Sequence, residues 1–246
     1  MTTGLIRVTA ALVATMAISS TSATADVLWQ DFSATYLQGN NYRIESPKKQ
    51  VLTLEHVAAT SWGDSFFFLD HMREENGNRD NYAEWSPRLS LSKTTLKSFQ
   101  YGFINDILIS TNIEMSSLQS NFLYGLGVDL NVPGFRFMQL NGYRRNNDGM
   151  AGNWQLTSSW ALPIQVASQE FLYDGFIDWT STNSEQRSSF NMTTQLKWAL
   201  HSFFGMTSPL YVGVEYVYWR NKYGIADSPF FRTHESNLNL LLKAHF

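Results

Sequence analysis

The sequence predicts an all-β chain, an antiparallel transmembrane β-barrel of about 12 strands, and three observations carry that prediction. The first is the closing stretch, residues 234–246. Leu238, Leu240, Leu242, Ala244 and Phe246 recur at every second position, and Asn237, Asn239, Lys243 and His245 alternate with them, with Leu241 the one apolar intruder. A helix would mix the two sets, so this is a strand with one greasy and one wet side, ending on an aromatic. Alone it also fits the edge of a soluble sandwich. The second observation is that the alternation recurs about a dozen times from Val27 onward. The third is composition: aromatic residues make up 15% of the chain, mean hydropathy is −0.23 and cysteine is absent. That balance suits strands whose lipid-facing and lumen-facing residues alternate.

Residues 1–25 read as a cleaved signal peptide, with a basic start at Arg7, an apolar run from Val8 to Ile18 and small residues at Ala23-Thr24-Ala25. No stretch approaches the roughly 20 apolar residues a membrane helix needs. Cleavage would leave 26–246 as one barrel domain, and losing Arg7, the segment's only charge, would take the net charge from −3 to −4. The mild acidity and the lack of a basic patch speak against a nucleic-acid partner.

The first strand, about 27–38, sets Phe32, Ala34 and Tyr36 against Asp31, Ser33 and Thr35. The second, 49–60, sets Leu52, Leu54 and Ala58 against Thr53 and Glu55, with His56 on the apolar side. The third, 62–71, opposes Phe67 and Leu69 to Asp64, Phe66, Phe68 and Asp70, and a long charged loop, 72–81, follows. The fourth, 82–93, puts Ala83, Trp85, Leu89 and Leu91 outside and Glu84, Ser86, Arg88, Ser90 and Ser92 inside. Pro87 lacks an N–H, so it predicts a broken ladder bond or a bulge.

Strands at 104–115 and 119–131 follow with clear alternation; 135–145 has no clear phase. Strands at 152–162, 166–179, 188–201 and 210–222 complete the set before the closing strand. With both ends on the periplasmic side, the outer loops are 39–48, 72–81, 116–118, 145–151, 180–187 and 221–233. Connections near 61, 132–134 and 163–165 are short on the other side, and 94–103 and 202–208 are longer.

Which face carries the charge separates a membrane barrel from a soluble one. Twelve faces of acids, amides and hydroxyls cannot form a dry core, because a buried unpaired charge costs several kcal/mol. They can line a wet lumen. Trp29, Trp85, Trp154, Trp160, Trp179, Trp198 and Trp219 mostly sit near strand ends, where interfacial belts form. About twelve strands enclose a narrow passage.

Several stretches are similar to one family. Phe32-Ser-Ala-Thr-Tyr-Leu37, Leu54-Glu-His56, Trp62-Gly-Asp-Ser-Phe-Phe-Phe-Leu-Asp70, Glu84-Trp-Ser-Pro-Arg-Leu-Ser90, Glu215 to Ile225 and the final Leu-Leu-Lys-Ala-His-Phe resemble the Tsx/OmpK family of nucleoside-specific channel-forming outer-membrane proteins, more its OmpK branch than the enterobacterial nucleoside channel. The resemblance runs through the mature chain in order and is weakest over 104–200. It implies a monomeric barrel with a narrow channel for nucleosides and small solutes. It also implies an outer-membrane setting among lipid and lipopolysaccharide, assembly by the barrel-assembly machinery through the strand ending at Phe246, and loops that phages bind.

A nucleoside channel needs flat apolar surface for the base and hydrogen-bonding groups for the sugar. Inward Phe66 and Phe68, flanked by Asp64 and Asp70, offer that combination, and Glu84 and Arg88 on the next strand offer ribose contacts or an ion pair. Glu215 joins Asp106, Glu114, Asp129, Asp174 and Lys197 as a lumen-lining residue. The same residues also fit a purely structural role, filling and bracing the wall. None of the five histidines has a serine–acid set on its face or metal-ligand spacing, so neither an enzyme nor a cofactor is expected, although Glu75 and Asp80 leave room for a loop calcium site. The competing function is a closed barrel that serves as a receptor through its outer loops. No plug domain precedes the first strand, so no energy coupling is expected.

Overall fold

The computed structural model describes residues 26–201 and 203–246; the expected signal peptide lies outside them. The strands are β1 (Val27–Gly39), β2 (Lys49–Thr60), β3 (Gly63–Glu74), β4 (Arg79–Ser90), β5 (Ile104–Ser116) and β6 (Ser120–Leu130). They continue with β7 (Phe137–Asn146), β8 (Asn153–Val166), β9 (Gln169–Thr180), β10 (Ser189–Ala199), β11 (Leu210–Arg220) and β12 (Glu235–His245). Each pairs antiparallel with its neighbours in sequence, and β12 returns to β1, closing a barrel of 12 strands. Closure removes the unpaired edges that an open sheet would present to lipid.

Cross-strand partners share a face, so register fixes what points inward. Thr53 opposes Asp70, Glu55 opposes Phe68, and Glu84 opposes Glu114, all on the lumen side. The phase of β7, ambiguous in sequence, follows from its neighbours: Gln139, Asn141, Tyr143 and Arg145 point inward with Ser159, Thr157, Gln155 and Asn153 of β8. The inner face is not uniformly polar. Leu37, Val51, Met72 and Leu241 pack together inside, in one row across β12, β1, β2 and β3.

Several expectations need correction. Most of the charged loop 72–81 is strand, because β3 and β4 run on to Glu74 and back from Arg79 around a turn at 75–78, with Gly77 at φ 92°. Polar residues at strand ends outside the lipid satisfy the ladder as well as apolar ones do, and composition alone does not distinguish them from a loop. The connection at 163–165 is also strand; β8 turns only at Ala167, and Pro163 sits within the ladder opposite Leu172. Leu91 and Ser92 leave the sheet for a short helix, α1 (Leu91–Thr95), whose N-terminus is capped by the Ser90 side chain accepting from Lys93 N at 3.0 Å.

Register also places Trp29 with Ala59 and Trp219 with Asn191 on the inward side, so neither joins the lipid-facing belt. Pro87 interrupts pairing on the β5 side only. The register Trp85–Ile113 resumes unchanged at Arg88–Ser110, and Thr111 Oγ1 donates to the Pro87 carbonyl at 3.0 Å. There is a gap in the ladder and no bulge.

Candidate functional site

Six of the seven residues singled out from sequence lie on two neighbouring strands. Register stacks them in rows down the inner wall: Asp64 opposite Arg88, Phe66 opposite Ser86, Phe68 opposite Glu84, and Asp70 opposite Tyr82. Aromatic and acidic side chains therefore meet in two rows, Phe68 with Glu84 and Asp70 with Tyr82. Phe66 and Phe68 have ring centroids 5.9 Å apart, and Phe68 lies 5.9 Å from Tyr82. Phe66 is 36% exposed, on a face that looks into the lumen. Tyr82 was not singled out; its parity with Glu84 is the signal that marks it, but a tyrosine suits a lipid belt equally well.

The charges divide into those tied to a cation and those left as acceptors. Arg88 is 4% exposed and donates to both Asp64 oxygens at 2.8 and 2.6 Å and to Asp129 at 2.9 Å. It makes no pair with Glu84, so the ion pair runs along the Asp64 row instead. To reach Asp129 on β6 the guanidinium crosses β5, where its neighbour is only Ser110. Gly127 keeps the β6 wall low here: a Cβ would fall 2.3 Å from Asn141 Oδ1. Similarly, Tyr143 lies across Gly125 to meet Ser110 Oγ at 2.7 Å.

Nearer the outer-loop ends of β5, β7 and β8, Arg145 clamps Glu114 through two bonds of 2.6 Å and donates to Gln155. Planar two-point contacts of this kind are strong and fix geometry. Glu84 is held differently. It accepts from Tyr82 Oη at 2.6 Å and Asn112 Nδ2 at 2.7 Å. Asp70 accepts from Thr53 Oγ1 at 2.6 Å. Among the described residues neither carboxyl has a cation within ion-pair distance, so both keep acceptor sites beside the aromatic strip.

Glu215 stands apart, on β11, accepting from Gln195 at 2.7 Å and Asn239 at 2.9 Å. Its neighbourhood holds Lys197 bonded to Asp174 at 2.5 Å, and Lys243 paired with Glu55 across the β1–β12 seam. Phe176, also unforeseen, points inward from β9, the strand opposite β3 in the ring. The parity of Asp174 and Asp178 gives it away.

The outer mouth is narrowed by the loop 40–48. Tyr42 turns into the barrel and donates to Asn239 Oδ1 at 2.8 Å, and Arg43 N donates to Glu235 at 2.7 Å. Lys222 from the 221–234 loop bonds Glu235 at 2.7 Å and Glu45 at 3.3 Å, and Lys49 lies 3.1 Å from Glu45. Burial alone would raise the Glu45 carboxyl, but Lys222 and Lys49 prevail and hold it below its ordinary range. Glu75 and Asp80 do not converge: Glu75 pairs with Lys48, and Asp80 accepts from Ser117. Among the described residues no cluster of three or more acids or histidines is placed to bind a metal.

The family model for the nucleoside-specific channel-forming protein Tsx matches residues 24–244. The chain belongs to this family. Outer membrane protein OmpK of Vibrio parahaemolyticus is similar at 27% identity over 122 residues, 47% of this chain and 46% of that protein, so the match spans less than half of the relative. The KdgM porin is similar in fold, with TM-score 0.52 and 11% identity over 87% of this chain and 99% of the porin; a second structure of it is described as in complex with disordered oligogalacturonate. The protein is thus an outer-membrane β-barrel of a family described as channel-forming. This is not an enzyme family. The histidine side chains His56, His71, His245 and His234 bond to Gln30, Asn81, Asp31 and Asn221 respectively.

Proposed function

We propose that the barrel is a narrow passive channel for nucleosides or similar flat, hydroxyl-bearing solutes, working as a monomer after removal of residues 1–25. The observation that carries this reading is the patch on β3 and β4, where Phe66, Phe68 and Tyr82 form a strip flanked by Asp70 and Glu84. A base stacking on one such ring is worth roughly 1–3 kcal/mol, enough to retain a solute briefly without trapping it. The two acids accept from sugar hydroxyls. The Arg88 cluster braces the wall beneath them and keeps Asp64 out of solute binding. No bond is made or broken in this scheme, and no cofactor or metal takes part.

Planar-bilayer conductance with and without adenosine or thymidine tests it. The expected result is a small single-channel current blocked in a concentration-dependent way, with block weakened in Phe66→Ala and Phe68→Ala. A current that nucleosides leave untouched would remove the substrate and keep the channel. No current from folded protein would favour the closed receptor, for which the inward fold of Tyr42 at the mouth is the specific support.

A further inference from the structure

Among the described residues, Asp, Glu and Lys are absent from the outward positions of the strands. The charged side chains there are all arginines: Arg73, Arg79, Arg144 and Arg220. Each lies within the last three residues of its strand at the outer-loop end, and the periplasmic ends of the same faces carry none. Arg187, from the 181–188 loop, joins them.

None of these guanidiniums makes an ion pair or a side-chain hydrogen bond among the described residues, although Arg144 lies 5.5 Å from the Trp154 ring centroid. Arg73 and Arg79 are directly opposed across the β3–β4 ladder and both are exposed. Like charges so placed destabilise a sheet unless an anion lies between them. On the other side of the barrel, Arg187 and Arg220 border a groove of about 520 Å3. Its floor is Trp179, Phe190 and Tyr218, aromatic rings of the lipid-facing band, and Asn221 closes its upper edge.

A simple interfacial anchor would use lysine as readily as arginine, and would use both ends of the barrel. Exclusive arginine at one end matches an anion that accepts two parallel hydrogen bonds. An aromatic floor below the cations matches acyl chains continuing from the same molecule into the bilayer.

We propose that this rim binds the phosphorylated headgroup of an outer-leaflet glycolipid of the lipid A type. One seat is at Arg187 and Arg220, with the acyl chains over Trp179, Phe190 and Tyr218, and a second is at Arg73 and Arg79. The reading needs only the outer-membrane setting and is independent of which solute passes the lumen.

Native mass spectrometry of the folded full-length barrel in detergent tests it, by titration with bis-phosphorylated lipid A, dephosphorylated lipid A and phosphatidylglycerol. Bis-phosphorylated lipid A should be retained, and the dephosphorylated form should bind at least tenfold more weakly. R187Q/R220Q and R73Q/R79Q should each remove one bound equivalent or weaken binding by about tenfold or more, the scale of one lost charged hydrogen bond. R232Q, which removes an exposed loop arginine paired with Asp227, should leave binding unchanged. Equal binding of the dephosphorylated lipid, equal retention of phosphatidylglycerol, or the same loss in R232Q would each overturn the proposal. A far-UV circular dichroism spectrum and a heat-modifiable gel mobility at the parental level show that the variants are folded, whatever the lumen conducts.

Discussion

Arginines inside the barrel and arginines outside it live in opposite circumstances. Arg88 and Arg145 are each held by carboxylates in two-point contacts and are largely hidden from solvent. Arg73, Arg79 and Arg220 are exposed and have no acidic partner among the described residues. In the lumen each of these arginines is satisfied by carboxylates of the neighbouring wall. The outer rim leaves its charges for whatever surrounds the protein. An arginine's role in a membrane barrel is therefore read from which face it occupies and whether the protein has already satisfied it.

Breaking the inner half of this comparison should have the largest effect. Arg88→Met leaves Asp64 and Asp129 facing one another and should destabilise the barrel by about 3–5 kcal/mol. Urea unfolding followed by tryptophan fluorescence measures this, and a loss below about 1 kcal/mol would mean the lumen is wet enough to screen the pair. Adding Asp64→Asn should recover part of the loss, because it removes the stranded charge.

Next in size is the aromatic strip. Phe68→Ala should weaken nucleoside block by roughly 1–3 kcal/mol, about tenfold or more, while leaving the open-channel current in place. Tyr82→Phe, which deletes only the bond to Glu84, should cost about 0.5–1.5 kcal/mol in the same assay.

A smaller effect concerns pH at the mouth. Glu45 has a depressed carboxyl pKa in the folded protein, so its stabilising contribution is fully present above the unfolded value near 4.3 and is lost as pH falls through the folded one. Loop 40–48 should therefore resist limited proteolysis from pH 8 to pH 5 and open only below about pH 4. Cleavage that already rises at pH 6 would point to a different group. Smallest of all, Arg220→Gln in lipid-free detergent should change stability by no more than about 0.5 kcal/mol, because nothing in the protein depends on its charge. A larger change would mean the rim is not as unpartnered as its geometry shows.

Much of this was legible in the sequence, because period-two alternation decides strand identity and facing together. Phe66, Phe68, Asp64, Asp70, Glu84, Arg88 and Glu215 all face inward as their parity requires. What parity cannot supply is the partner. That Arg88 turns to Asp64 and Asp129, and that Glu84 receives only Tyr82 and Asn112, depends on stagger between strands up to two places apart in the ring. Amphipathic residues were also hard to place. Tyr82, Trp29 and Trp219 suit an interface or a lumen, and only register assigns them. The turn around Gly77 was hidden because strand and loop share a polar composition once a strand has left the lipid.

The seam between β1 and β12 has a consequence for timing. Its register runs from Ser33–His245 to Gln38–Leu240, joining the first and last strands of the barrel. Lys243 with Glu55, His245 with Asp31, and Tyr42 with Asn239 all span it. None of these contacts exists until β12 arrives, and contacts so distant along the chain are slow to form. A partly assembled molecule thus has neither a sealed wall nor a narrowed mouth, and both are acquired in the same event. Closure converts a sheet with two unpaired edges into a sealed wall and narrows its outer mouth in one step.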